Sequence, residues 1–134
     1  MSRTHFCYNP HEFAVCRSYP ISEIKGECMN FIKSLQDHVG VNENKFYKTT
    51  LFHSDALLLG INCLEPGQVQ KPHEHTGQDK FYFVVEGQGK FQIGDAIQLA
   101  SAGQIVWVPA GVIHGVSNEA DSRLTLLVGI APAP

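Results

Sequence analysis

Gly103-Gln104-Ile105-Val106-Trp107-Val108-Pro109-Ala110-Gly111-Val112-Ile113-His114-Gly115-Val116-Ser117-Asn118 is the stretch on which the fold turns. Ile105–Val108 is a short run of β-branched and aromatic residues, the composition of a strand. Pro109-Ala110-Gly111 then breaks it. Proline presets φ at such a turn, and glycine supplies a left-handed position without steric cost. The turn reverses the chain and presents His114 on the next strand.

Outward from this segment the same grammar repeats. From Lys45 onward, short apolar runs alternate with Gly, Pro, Asn and Asp, and no helical period survives. The predicted strands are 45–53, 56–64, 68–75, 80–86, 89–94, 96–99, 104–108, 112–117 and 123–131. Many short strands at this spacing indicate a sandwich or a barrel. Gly87-Gln88-Gly89 lacks the strand-to-helix setting of a phosphate loop and reads as a hairpin turn. Ahead of the strands, residues 1–20 read as an arm. Ile21, Ile24, Cys28, Phe31, Ile32 and Leu35 fall at three- and four-residue steps, so the spacing predicts a helix over Ile21–His38. The domain expectation is an arm and helix over 1–44 and a barrel over 45–131.

A second chemical signal sits at the end of the strand over 68–75. His73-Glu74-His75 follows Pro72. Residues two apart on a strand share a face, so both imidazoles can reach one point while Glu74 faces away. His114, delivered by the Pro-Ala-Gly turn, can complete the set. Three imidazoles on neighbouring strands make a facial ligand group with positions left open for water or substrate.

Both segments resemble the cupin superfamily. The first cupin motif is Gly, five residues, His-x-His, three or four residues, Glu, six residues, Gly. Here Gly67, His73, His75 and Gly87 match it. The second is Gly, five residues, Pro-x-Gly, two residues, His, three residues, Asn, and Gly103, Pro109, Gly111, His114 and Asn118 match throughout. The resemblance covers about residues 45–131. It implies an all-β fold, an antiparallel jelly-roll β-barrel with the N-terminal arm and one helix added. It also implies a divalent metal ion (Fe, Zn, Mn or Ni) at His73, His75 and His114, and a homodimer.

One position departs from the family. Seven residues before Gly87, where the family has its Glu ligand, stands Lys80. A protonated amine has donors and no lone pair. Three readings stand side by side. The three histidines hold the metal with waters while Lys80 swings toward solvent or a carboxylate. Or a bulge lets Gln78 or Asp79 supply the missing oxygen. Or the site holds no metal and serves as a polar small-molecule pocket, lined by Lys80 and Tyr82. Tyr82 shares the parity of Lys80 and faces inward, while Phe81, Phe83 and Val85 face the other side. Asn118 reads as a structural hydrogen-bonder, Asp121 and Arg123 as solvated loop charges, and His53 as core or surface.

Composition excludes several functions. Ten Lys and Arg against thirteen Asp and Glu give a formal charge of −3, so no basic stripe is available for nucleic acid. No apolar run approaches the ~20 residues that span a bilayer, so no membrane partner is expected. No secretory h-region follows the first residues, and no Cys-x-x-Cys pair occurs among Cys7, Cys16, Cys28 and Cys63. A cytoplasmic protein with free thiols is the expectation. Two functions remain open. The first is a metal-binding cupin, a dioxygenase or isomerase acting on a small molecule. The second is a metal-free sugar- or anion-binding or sensor module without catalysis. The sequence leaves open whether it is an enzyme.

Overall fold

In the computed structural model, residues 30–134 are described. Nine strands carry nearly all of the regular structure: β1 (Tyr47–His53), β2 (Leu58–Leu64), β3 (Val69–His73), β4 (Asp79–Glu86), β5 (Gln88–Ile93), β6 (Ala96–Ser101), β7 (Ile105–Val108), β8 (His114–Ser117) and β9 (Leu124–Ala131). Each of the nine sequence segments becomes one strand. The strands form two antiparallel sheets, one ordered β1-β2-β9-β4-β7 and the other β3-β8-β5-β6. The fold is the jelly roll that the motif resemblance implies.

Alternation along the strands explains the packing. Lys80, Tyr82 and Val84 of β4 are buried inside the barrel, while Phe81, Phe83 and Val85 between them face outward and are half-buried. From the other strands Leu64, Phe91, Val108, Val116, Leu124, Leu126 and Val128 close the core between the sheets. A smaller cluster forms on the outer face of the first sheet, where Leu51, Ile61 and Cys63 are covered by Leu35, Val39, Tyr47 and Phe52. Cys63 is therefore a buried core thiol, packed as a small hydrophobe. Lys33–Pro134 form one compact unit, which takes in the segment ahead of β1.

Three local expectations change. The predicted helix over Ile21–His38 lies outside the described residues up to position 29. Of its remainder, 30–34 are not helical, and Leu35–His38 form one turn of 3-10 helix. The Asn30 side chain takes the Ile32 N–H, which offers the backbone an alternative to a helix. Ser34 and Val39, at either end of the turn, are extended. Second, Gly87 is not a hairpin apex. β4 pairs with β7 and β9, and β5 with β6 and β8, so the glycine carries the chain from one sheet to the other. Its φ is +83°, and a Cβ there would collide with the Arg123 carbonyl oxygen. Third, Arg123 is not a free loop charge, because its Nε donates to Glu65 Oε1 at 2.9 Å. Asp121 is exposed.

Asn118 ties the end of β8 to the start of β9 and to β2. Its amide nitrogen donates to the Leu64 and Ser122 carbonyls, each at 2.8 Å, and its Oδ1 accepts from the Ala120 N–H. The side chain is buried, so its loss would strand carbonyls away from water. Asn118→Ala is expected to lower unfolding stability by about 2–4 kcal/mol, read by denaturant titration. A change below about 0.5 kcal/mol, the level of an ordinary surface substitution, would contradict this role.

Candidate metal centre

The two motifs meet because their turns are tied together. The Gly111 N–H donates to the His75 carbonyl at 3.0 Å, and the Ala110 N–H donates to Asp79 Oδ1 at 3.0 Å. Gly111 has φ +74°, the left-handed position expected of the turn. One turn thus holds the segment after β3 and the first residue of β4 in place while starting β8. In the second sheet His73 stands opposite His114 in register.

These constraints bring the three histidines together. One ligand nitrogen from each of His73, His75 and His114 lies within 4.8 Å of the others. Ring centroids are 4.3 Å apart for His73 and His114, 4.9 Å for His73 and His75, and 5.5 Å for His75 and His114. His114 is buried, while His73 and His75 are half-buried and open the cluster to solvent. His73 Nδ1 lies 2.8 Å from the Lys71 carbonyl, and His114 Nδ1 lies 3.0 Å from that of Val112. A carbonyl only accepts, so in both rings Nδ1 carries the proton and Nε2 keeps its lone pair. Such outer contacts orient metal-ligating histidines. The donor set fits a divalent ion.

Lys80 is the unusual member. It is 3% exposed, and its Nζ lies 3.4 Å from His114 Nε2 and 4.6 Å from the centre of the Tyr82 ring. It does not turn to solvent or to a carboxylate. Its side-by-side strand partners, Val108 and Ile130, are apolar. Burial, reinforced by Lys48, lowers the Lys80 ammonium to about 8. His114 is pushed down to about 4, chiefly by burial; the Val112 carbonyl opposes this, while Lys80, His73 and His75 add to it. Burial, Lys80 and His73 also lower His75. The His75 and His114 rings are thus held neutral, the form that coordinates metals.

The remaining sequence candidates are placed as follows. Asp79 is committed to Ala110, and Gln78 Nε2 donates to the Pro132 carbonyl at 3.1 Å, so neither joins the histidine group. Tyr82 is fully buried against Phe91, and its hydroxyl donates to Gln70 Oε1 at 2.9 Å. Burial raises its phenol far above the ordinary value, so it stays protonated. His53 is exposed, His38 is half-buried, and His5 and His11 lie outside the described residues. Sequence reasoning missed Gln70. The register of β3 shifts between Gln70 and His73, which lets residues of opposite parity serve one interior. Pro72 inside a strand was the available signal, since proline there marks an edge or a bulge.

The comparisons agree with this architecture. The cupin domain family model matches residues 60–130, and the chain belongs to that family. A solved structure from Thermus thermophilus superposes with a TM-score of 0.74 at 40% identity, covering 77% of this chain and 98% of that one. An uncharacterised protein of Streptomyces coelicolor is 34% identical over 76 residues, 55% of this chain and 70% of its own length. An oxalate-binding protein of Thermotoga maritima is 27% identical over 78 residues, 58% of this chain and 64% of its own length.

An unpaired ammonium in the barrel costs stability, and a site tuned for a ligand tolerates that cost. Lys80→Met keeps the length of the stem and removes the charge. The metal-free variant is expected to unfold about 1–4 kcal/mol later than wild type, measured by denaturant titration. A less stable variant would mean that the contacts with His114 and Tyr82 fully compensate the charge.

Proposed function

We propose that the chain is a metal-binding cupin whose barrel holds one divalent ion on His73, His75 and His114 and takes one small molecule beside it. The observation that supports this most is the pair of carbonyl-fixed rings, His73 and His114, which group with His75. An ion bound there supplies Lewis-acid polarisation of a carbonyl or carboxylate, and iron adds redox chemistry with O₂. The protein's part is to orient three imidazoles, to keep Tyr82 and Gln70 locked on one another, and to leave the half-buried side open to the ligand. Dioxygenase or isomerase chemistry is compatible with that set, and no carboxylate among the described residues joins the cluster.

The second reading is a metal-free sugar- or anion-binding module. Lys80 favours it, since its ammonium faces the His114 nitrogen that a metal would use. Metal content separates the two. Wild type exposed to Fe²⁺, Mn²⁺, Ni²⁺ or Zn²⁺ and then dialysed is expected to retain close to one ion per chain by elemental analysis. His73→Ala is expected to lose more than about 100-fold in affinity, beyond the loss caused by removing an outer-shell partner. Metal-free wild type after all four exposures would establish the binding-module reading instead.

We also propose a homodimer. Ile105 and Trp107 on edge strand β7 are 69% and 55% exposed, and they stand beside the outward Phe83 and Phe81 of β4. A groove of about 410 Å³ continues this surface toward Leu99 of β6. Apolar patches of that kind mark interaction sites, and two-fold pairing of identical surfaces is the commonest solution. Light scattering is expected to give twice the chain mass for wild type and the single mass for Trp107→Glu. A monomeric wild type would contradict the assignment.

A further inference from the structure

Lys80 is a buried cation without a counter-ion among the described residues. The ion pairs among the described residues are Lys90 with Glu119 and Arg123 with Glu65, and neither reaches the barrel interior. Lys80 Nζ faces the His114 ring nitrogen and the Tyr82 ring, Lys48 adds a second positive charge, and the residue's strand neighbours Val108 and Ile130 are aliphatic. The Tyr82 hydroxyl is already given to Gln70. A lone buried ion is costly, and a charge of opposite sign relieves that cost most effectively. Any metal bound at the histidines adds positive charge to the same few ångströms.

We infer that Lys80 is a ligand-anchoring residue, and that the small molecule taken by this barrel is a compact organic carboxylate whose anionic oxygens meet Lys80 Nζ at the base of the histidine cluster. The position of the lysine argues for this. His73 and His75 form the half-open side, and His114, Lys80 and Tyr82 form the closed end. An anion entering past the two outer rings therefore meets the ammonium last, where little water remains to screen it. Charge-assisted hydrogen bonds are about twice as strong as neutral ones. The aliphatic walls at Val108 and Ile130 suit a hydrocarbon-bearing carboxylate better than a fully hydrated inorganic anion. A neutral sugar would leave the ammonium uncompensated.

This inference rests on the reading of the cluster as a ligand-binding centre, and its test separates the two. Calorimetric titrations of malonate, and of its uncharged diamide, are run on wild type, Lys80→Met and Lys80→Arg at one fixed pH. Each is run with zinc and without it, and zinc alone is titrated separately. Malonate is expected to bind wild type, and the diamide at least about tenfold more weakly, since a charged hydrogen bond is lost. Lys80→Met is expected to lose at least about tenfold in malonate affinity while still binding zinc, and Lys80→Arg to restore most of it because the charge returns. Circular dichroism confirms that each variant is folded. Equal malonate binding by wild type and Lys80→Met overturns the inference. So does diamide binding as tight as malonate, or no malonate binding by wild type at millimolar concentration. If zinc fails to bind while malonate binding still depends on Lys80, the metal reading falls and the anion anchor stands. If zinc binds and malonate is indifferent to residue 80, the reverse holds.

Discussion

The Pro109-Ala110-Gly111 turn is clamped by two backbone hydrogen bonds, one to the His75 carbonyl and one to the Asp79 carboxylate. The site depends on this clamp more than on any other contact. It fixes the segment after β3, the beginning of β4 and the beginning of β8 against one another. Those three points carry His75, Lys80 and His114. Without it the two sheets could still pack through Phe91, Tyr82 and Leu126, but His75, Lys80 and His114 would lose the tie that holds their segments together. Asp79 is thus a positioning residue, spent on the turn rather than offered to a metal.

The same architecture explains how a barrel of small size carries so much buried nitrogen. Polar groups are tolerated in a core when they are hydrogen-bonded. Here the His73 and His114 rings are satisfied at Nδ1 by the Lys71 and Val112 carbonyls, Tyr82 by Gln70, and Asn118 by three backbone groups. Among the described residues, Lys80 keeps a buried charge that no carboxylate neutralises. A well-satisfied core with one uncompensated cation beside a group of metal-type ligands is a coherent description of a site awaiting a ligand.

Much of this was legible in the chain, and the reasons are physical. Strands read well because each has a bounded run of β-branched or aromatic residues and a turn of Gly, Pro or Asn at its end. The His73, His75 and His114 grouping was legible because parity fixes a face and the Pro-Ala-Gly turn fixes a neighbour. What failed was whatever depends on long-range pairing or on a side chain's reach. Gly87 has hairpin composition, yet its flanking strands enter different sheets, which local sequence does not encode. Gln70 joined the interior through a shift in register. Residues 30–34 continue the helical spacing, but the Asn30 side chain takes the Ile32 N–H and that stretch is not helical. Lys80 has a stem long enough to reach solvent or to fold inward, and it folds inward to meet His114 and Tyr82, which local sequence does not encode.

A crystal structure of the zinc-loaded protein, with the ion located by its anomalous signal, tests the central claim most directly. One peak is expected, bonded to Nε2 of His73, Nε2 of His114 and a ring nitrogen of His75, with the Lys80 ammonium displaced from His114. A peak elsewhere, or no peak with Lys80 still hydrogen-bonded to His114, would contradict it.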